Sequence, residues 1–433
     1  MSVALAAPSS IARGRDGRRR VSAPVEHSIL LTATLCLLAL GAVMVYSASA
    51  PELLDGGGSG MSQLVSFVAW AGVGLAAMQL IARRGLAAVR PLTGPLLALA
   101  FVLLLAVKLP GIGHSANGAQ RWIGAGPFEF EPSELMKLAL LLYGVQVLAG
   151  RTGSPQAMRV ALRRLLTVAG AAALLVLSQP DLGTTLVIAF TLTSLVVAAG
   201  VPLRLIGIGA AVLGCLVLLF SAVEPYAFAR LTSFVNPWAH ASTTGYQAVQ
   251  GQVAIGSGGI LGRGPGAGVT KDLYLPNGST DFILAVIGEE LGVAGICGVL
   301  CLYGLVIFAG MRIASAARDS YSLLMAAGVT SLFAVQAILN VFAVLSIAPL
   351  TGVPLPLVSY GSSSQLVMLA AMGMLLAVSR ARAAGVEALA GTRAENRGGS
   401  ADAAAADRDR SRRHGGSRDA GAGGRRRAGA ARR

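Results

Sequence analysis

Long apolar runs separated by short polar breaks organise most of this chain. A membrane-spanning helix needs about 20 mainly apolar residues. That rule predicts ten helices, over residues 28–48, 62–81, 92–109, 133–149, 163–179, 184–200, 203–221, 281–311, 322–348 and 361–379. The fold class expected is an all-α polytopic membrane protein, and an even number of spans puts both ends of the chain on one side. Arginine is concentrated in the breaks at 82–91, 150–164, 201–204 and 312–320, whereas 49–61, 179–183 and 349–360 contain neither Lys nor Arg. Because Lys and Arg gather in cytoplasmic loops, both termini are expected in the cytoplasm. The segment 222–280 is then one large extracytoplasmic loop, with Trp238, Tyr246, Tyr274 and a Gly-rich run from Gly256 to Gly268. Long loops with their own aromatic anchors are usually functional.

Composition agrees with this reading. Of 433 residues, 54% are hydrophobic and only 13% charged, too apolar for a domain whose whole surface meets water. The first apolar run is too long for the core of a cleaved signal peptide, so residues 1–27 are expected to remain as a basic cytoplasmic arm ahead of a transmembrane domain over 28–380. From 381 to 433 the chain consists largely of Ala, Gly, Arg and Asp without apolar periodicity, which predicts a disordered basic tail. Such a tail suits anionic lipid or a cytoplasmic partner; nucleic acid is disfavoured because Arg alternates with Asp and no aromatic stacks are present. Cys36, Cys215, Cys297 and Cys301 all fall in apolar stretches, and His27, His114, His240 and His414 are scattered, so neither a disulfide framework nor a zinc site is expected.

Few ionisable residues lie in the spans, where by default they suggest function. Glu134 and Lys137 stand three apart on one helical face and can neutralise each other; a pair that only sets helix depth is the plainer reading. Upstream, Asn117, Arg121 and Trp122 occupy an expected external loop. There the Arg fork could bind phosphate or simply be solvated, and Trp122 also suits a membrane-interface anchor. The span predicted from 281 opens with Thr280 and Asp281, a cap followed by an acid in the first turn. Asp281 and Glu289 are eight residues apart, about 12 Å along a helix, beyond the roughly 5–9.5 Å of paired glycosidase carboxylates. A two-carboxylate hydrolase is therefore disfavoured. The Gly-rich run lacks the Gly-Lys-Ser/Thr ending of a nucleotide loop, which leaves a flexible loop or closely packed re-entrant backbone.

Four strings carry a resemblance. Asn117-Gly118-Ala119-Gln120-Arg121-Trp122-Ile123 precedes Glu131-Pro132-Ser133-Glu134 and Lys137; Gln179-Pro180-Asp181-Leu182-Gly183-Thr184 follows. The large loop supplies Asn236-Pro237-Trp238, Gly245-Tyr246-Gln247 and Thr280-Asp281-Phe282-Ile283 leading to Gly288-Glu289-Glu290. Asn340 and Thr351-Gly352-Val353-Pro354-Leu355-Pro356-Leu357-Val358-Ser359-Tyr360-Gly361 come last. In this order they resemble the signatures of the SEDS family of peptidoglycan glycosyltransferases, and most closely its division-type, FtsW branch. Glu131, Ser362 and Asn277-Gly278-Ser279 depart from that pattern.

The resemblance implies a lipid II polymerase of the plasma membrane, active in septal wall synthesis, which forms β-1,4 glycan and releases undecaprenyl pyrophosphate. It makes Asp281 the general base, assigns Arg121 and Lys137 to the pyrophosphate charge, and adds Glu134, Asn117, Gln247 and Ser359 to the substrate-binding set. A divalent cation, Mg2+ or Mn2+, could share that work. The partners implied are a class B penicillin-binding transpeptidase and other division proteins. An elongation-type (RodA-type) polymerase and a lipid II flippase or transporter are the alternatives, and a scaffold that only recruits partners is a third.

Overall fold

The computed structural model describes residues 25–49, 60–116, 119–124, 129–150, 154–202, 232–270 and 275–383, and isolated positions between 203 and 231. In chain order the elements are α1 (Val25–Ser49), α2 (Gly60–Arg84), α3 (Leu86–Ala106), the hairpin β1 (Gly113–Ala116) and β2 (Ala119–Ile123), α4 (Pro132–Ala149), α5 (Pro155–Leu177), α6 (Leu182–Ala198), α7 (Tyr246–Gly258), α8 (Ile283–Ser315), α9 (Ser320–Val344) and α10 (Ser362–Ala383). Eight of these helices are long and apolar enough to cross a membrane, and α6 is apolar but shorter. The chain is a multi-pass membrane protein. These nine helices overlap nine of the ten expected spans; the span expected at 203–221 is described only at isolated positions, and the arm up to residue 24 and the tail from 384 lie outside the described residues.

Helix boundaries follow local chemistry. Pro132 and Pro155 occupy first-turn positions, where a missing N–H costs nothing. Ser154, Asp181 and Asp319 cap α5, α6 and α9 by accepting the backbone N–H three residues on. Helices α4 and α9 are mostly buried at the centre, whereas α2, α3 and α5 turn side chains such as Val65, Val102 and Leu174 outward. In a bilayer those side chains meet lipid rather than water.

Side-chain contacts define two ends of the bundle. At one end Glu26, starting α1, pairs with Arg312 near the end of α8 at 3.2 Å and with Arg382 of α10 at 3.8 Å. At the other end Ser47 of α1 donates to both carboxylate oxygens of Glu290 on α8, at 2.6 and 2.9 Å. The α5–α6 turn and the segment 351–361 belong to that second end: a Cβ on Gly183 would collide with Thr351 O, and Tyr360 N donates to Ser279 O at 2.9 Å.

Helix α8 corrects two expectations about the span placed at 281–311. It begins at Ile283, with Phe282 at the cap position and no side-chain cap, so Asp281 lies in the turn ahead of the helix rather than in its first turn. The helix is also broken at Gly292, whose φ of +67° and ψ of −165° are open to glycine but strained for other residues. The break frees backbone groups that must find partners inside the protein. The Gly-rich run supplies them: Arg263 N and Gly264 N donate to Glu289 O and Glu290 O, while Val293 N and Ala294 N donate to Gly259 O and Ile260 O, all within 3.0–3.1 Å. Of the sequence readings of that run, close backbone packing is the one observed.

Candidate active site

A chain of polar contacts crosses the apolar interior. Lys137 Nζ donates to Glu134 Oε1 at 2.7 Å and to Gln336 Oε1 at 3.0 Å. Gln336 Nε2 in turn donates to Pro354 O at 3.1 Å and to Ser364 Oγ at 3.2 Å. One helical turn further along α9, Asn340 Nδ2 is shared between Val353 O and the backbone carbonyl of Asp281, each at 2.8 Å. Glu134, Lys137, Gln336 and Asn340 are all at most 2% exposed. The Glu134–Lys137 pair is thus buried within the protein. Two acceptors aimed into this region, Glu134 Oε2 and Asn340 Oδ1, are buried without a partner among the described residues.

Asp281 is half-buried at the mouth of this network, in a turn closed by Thr280 N and Phe282 N donating to Asn277 O at 3.1 and 3.2 Å. Asn277 takes a φ of +58° there, a left-handed conformation that Asn tolerates better than most residues. The Thr280 hydroxyl lies 3.2 Å from Asn277 O and 3.3 Å from Asp281 Oδ1. Asp281 is therefore held through its backbone by Asn340, and the residue as a whole is half-buried. Gln247, in the first turn of α7, donates to Pro276 O at 3.4 Å and joins the large loop to the same turn. Ser359 is buried and accepts from Leu355 N at 2.8 Å, closing the turn that offers Val353 O and Pro354 O to the network.

Arg121 sits at the same end on β2, but its fork is engaged: Nε donates to Gln179 O at 2.9 Å, a terminal nitrogen to Pro180 O, and the other lies 3.8 Å from Asp181. It could bind phosphate only by exchanging these contacts, and as it stands it fastens the hairpin to the α5–α6 turn. Asn117 lies outside the described residues. Glu289 and Glu290 anchor the Gly-rich loop: Val269 N and Thr270 N donate to Glu289, and Gly266 N to Glu290. Ser362 donates to Glu129 O at 2.6 Å, fixing α10 to the strand-side loop.

Glu131, ahead of α4, accepts from Ser133 Oγ at 2.6 Å. Burial, and then the Asp181 and Glu134 carboxylates, raise its carboxyl to about 7. The fold therefore keeps a proton that the unfolded chain releases near 4.5, so stability should fall as pH rises from there to about 7 and level off beyond. Glu131→Gln is expected to flatten that slope. Melting temperatures in detergent across the window provide the check, and an unchanged slope in the Gln variant would place its origin elsewhere.

Sequence reading missed Gln336. The available signal was two amides, Gln336 and Asn340, four apart on one face of an apolar helix. As for a cation, no group of three or more His, Cys, Asp or Glu able to hold one occurs among the described residues.

Comparison with known proteins follows the same residues. The FtsW/RodA/SpoVE family, described as cell cycle proteins, matches residues 27–384. Stage V sporulation protein E of Bacillus subtilis is 38% identical over 362 residues, covering 81% of this chain and 96% of that protein. The probable peptidoglycan glycosyltransferase FtsW of Mycobacterium tuberculosis is 38% identical over 365 residues, covering 84% and 69%. Among solved structures, a chain from a study of how a peptidoglycan synthase complex coordinates polymerization and crosslinking aligns with a TM-score of 0.66 at 30% identity, over 82% of this chain and 97% of that one. The rod shape determining protein RodA of Thermus thermophilus aligns at 0.59 with 28% identity, over 82% and 96%. With a family match across nearly the whole transmembrane region and the signature residues gathered at one end of the bundle, the chain belongs to the SEDS family and is of the FtsW type.

Proposed function

We propose that this protein polymerises lipid II at the outer face of the plasma membrane during septal wall synthesis, with Asp281 as general base. The observation that carries the reading is the placement of Asp281: Asn340 on α9 holds its backbone carbonyl one helical turn from Gln336, which accepts from the buried Lys137. As the β-1,4 bond forms, Asp281 takes the proton of the attacking sugar hydroxyl. Lys137 and Arg121 supply positive charge towards the departing pyrophosphate, and a divalent cation bound with the substrate would add to it. Glu134 and Gln336 orient Lys137. Gln247 and Ser359 shape the two loops that border the site, and Asn117 completes the proposed binding set.

The orientation follows from charge. The end that carries Arg83, Arg84, Arg312 and Arg318 belongs in the cytoplasm by the positive-inside rule, which puts Asp281 and the loop 222–280 outside. Ten spans, with the tenth contributed by 203–221, complete this arrangement. The relatives' names support the enzyme and its division role. The structural neighbour from a peptidoglycan synthase complex supports a transpeptidase partner, here of the class B penicillin-binding type.

Detergent-solubilised protein supplied with lipid II should form muramidase-sensitive glycan strands. A flippase needs two compartments and would form none. The tail tests the division role. Residues 391–433 carry twelve Arg and five acids, and the orientation proposed above assigns them to the side opposite Asp281, across a hydrocarbon layer about 30 Å thick. Deletion after Gly391 is expected to leave polymerisation in detergent unchanged and to reduce septal localisation of a fluorescent fusion. Loss of polymerisation by well-folded truncated protein would contradict this separation of the two faces.

A further inference from the structure

A cavity of about 770 Å³ opens between α5 and the segment that follows α6, lined by Arg159, Leu162, Arg163, Leu166, Pro202 and Arg204, together with Thr167 and Leu205. Its volume lies within the roughly 300–1,000 Å³ of ordinary ligand clefts. Its position is remote from the catalytic end. Helix α5 finishes at Leu177, next to the turn that holds Arg121, and Arg159 lies 18 residues earlier, about 27 Å along the helix.

The lining has the two-part character of a phospholipid. Residues 159, 162, 163 and 166 follow the i, i+3, i+4, i+7 spacing of one helical face. Along that face guanidinium and leucine alternate, in the order Arg159, Leu162, Arg163, Leu166, so each cation has an apolar neighbour beside it. Arg204 adds a third cation from across the cavity, and Pro202 and Leu205 add apolar surface. Helix α5 has no acid in its first turn, so nothing there offsets the positive end of its dipole. Among the described residues no carboxylate forms an ion pair with Arg159, Arg163 or Arg204.

We propose that this cavity is a binding site for an anionic phospholipid of the leaflet opposite Asp281, with a two-phosphate headgroup preferred. Guanidinium forks bind phosphate oxygens in pairs, and basic pockets between membrane helices at this side suit such headgroups. One phosphate carries a single negative charge against three arginines; two phosphates match them better. The headgroup would meet the three arginines, with Leu162 packed between Arg159 and Arg163, and the acyl chains would leave past Leu166 towards the bilayer centre. The lipid would join α5 to the start of the segment after α6.

The test uses the delipidated full-length protein in detergent, titrated with cardiolipin, phosphatidylglycerol or phosphatidylcholine and read by native mass spectrometry. Cardiolipin should bind most tightly. Substituting all three arginines (Arg159→Gln, Arg163→Gln, Arg204→Gln) should weaken it roughly 100-fold, whereas Arg83→Gln with Arg84→Gln, exposed at the same end, should leave it intact. In the unsubstituted protein a photoactivatable cardiolipin should label the α5 peptide containing Leu162 and Leu166, which gives a reading independent of how the variants fold. Equal loss in the Arg83/Arg84 control, no loss in the triple variant, or labelling elsewhere would overturn the site. Equal affinity for phosphatidylglycerol would overturn the two-phosphate preference, and full displacement by inorganic pyrophosphate would show an anion site with no need of lipid.

Discussion

Lys137→Met is expected to destabilise the protein and abolish polymerisation together, because it strands two buried partners. Glu134 would lose the cation 2.7 Å away, and Gln336 Oε1 would lose its donor at 3.0 Å, both in surroundings at most 1% exposed. Breaking one side of a buried ion pair costs about 3–5 kcal/mol. The informative companion is the double change Glu134→Leu with Lys137→Met. Replacing both charges with apolar groups removes the uncompensated carboxylate and should recover most of that stability. It should not recover activity, since the cation proposed to face the pyrophosphate is still missing. Melting temperature and polymer yield, measured on both variants, separate the roles. A double variant that is stable and also polymerises lipid II would make the pair purely structural.

The multi-pass character was legible because lipid imposes a simple rule on sequence: about 20 apolar residues per span. Helix α8 shows where that rule stops. Glu289 and Glu290 interrupt the apolar run just before Gly292, but a pair of acids does not announce a kink; its partners come from Gly259, Ile260, Arg263 and Gly264, about thirty residues upstream. Glu289 and Glu290 show a related limit. Helical rise was enough to exclude Glu289 as the second carboxylate of a hydrolase, but not to reveal that both side chains gather the N–H groups of the Gly-rich loop.

The candidate site was partly legible. Spacing alone paired Glu134 with Lys137, because three residues along a helix bring side chains onto one face. Gln336 stands 199 residues from Lys137, and an amide in an apolar helix, even with Asn340 four residues on, announces no partner at that separation. Arg121 was read as free to meet phosphate, since a sequence does not show that backbone carbonyls of residues 179 and 180 would occupy its fork. Asn340 was noticed through family likeness, and its task, holding the carbonyl of Asp281, needed coordinates.

Asp281→Asn is expected to lower the polymerisation rate at least roughly 100-fold, the usual contribution of a positioned general base. The substitution keeps side-chain size and leaves the Asn340 contact, which uses the backbone carbonyl, undisturbed. Folding and lipid II binding should therefore persist while the proton acceptor is lost. A residue that served only the fold would give another pattern, with melting temperature and binding falling together. The most direct measurement takes lipid II binding and polymer formation from the same purified sample of the parent protein and the Asn variant. The account predicts equal binding and glycan strands from the parent alone. Strands formed by the Asn variant at close to the parent rate would contradict it.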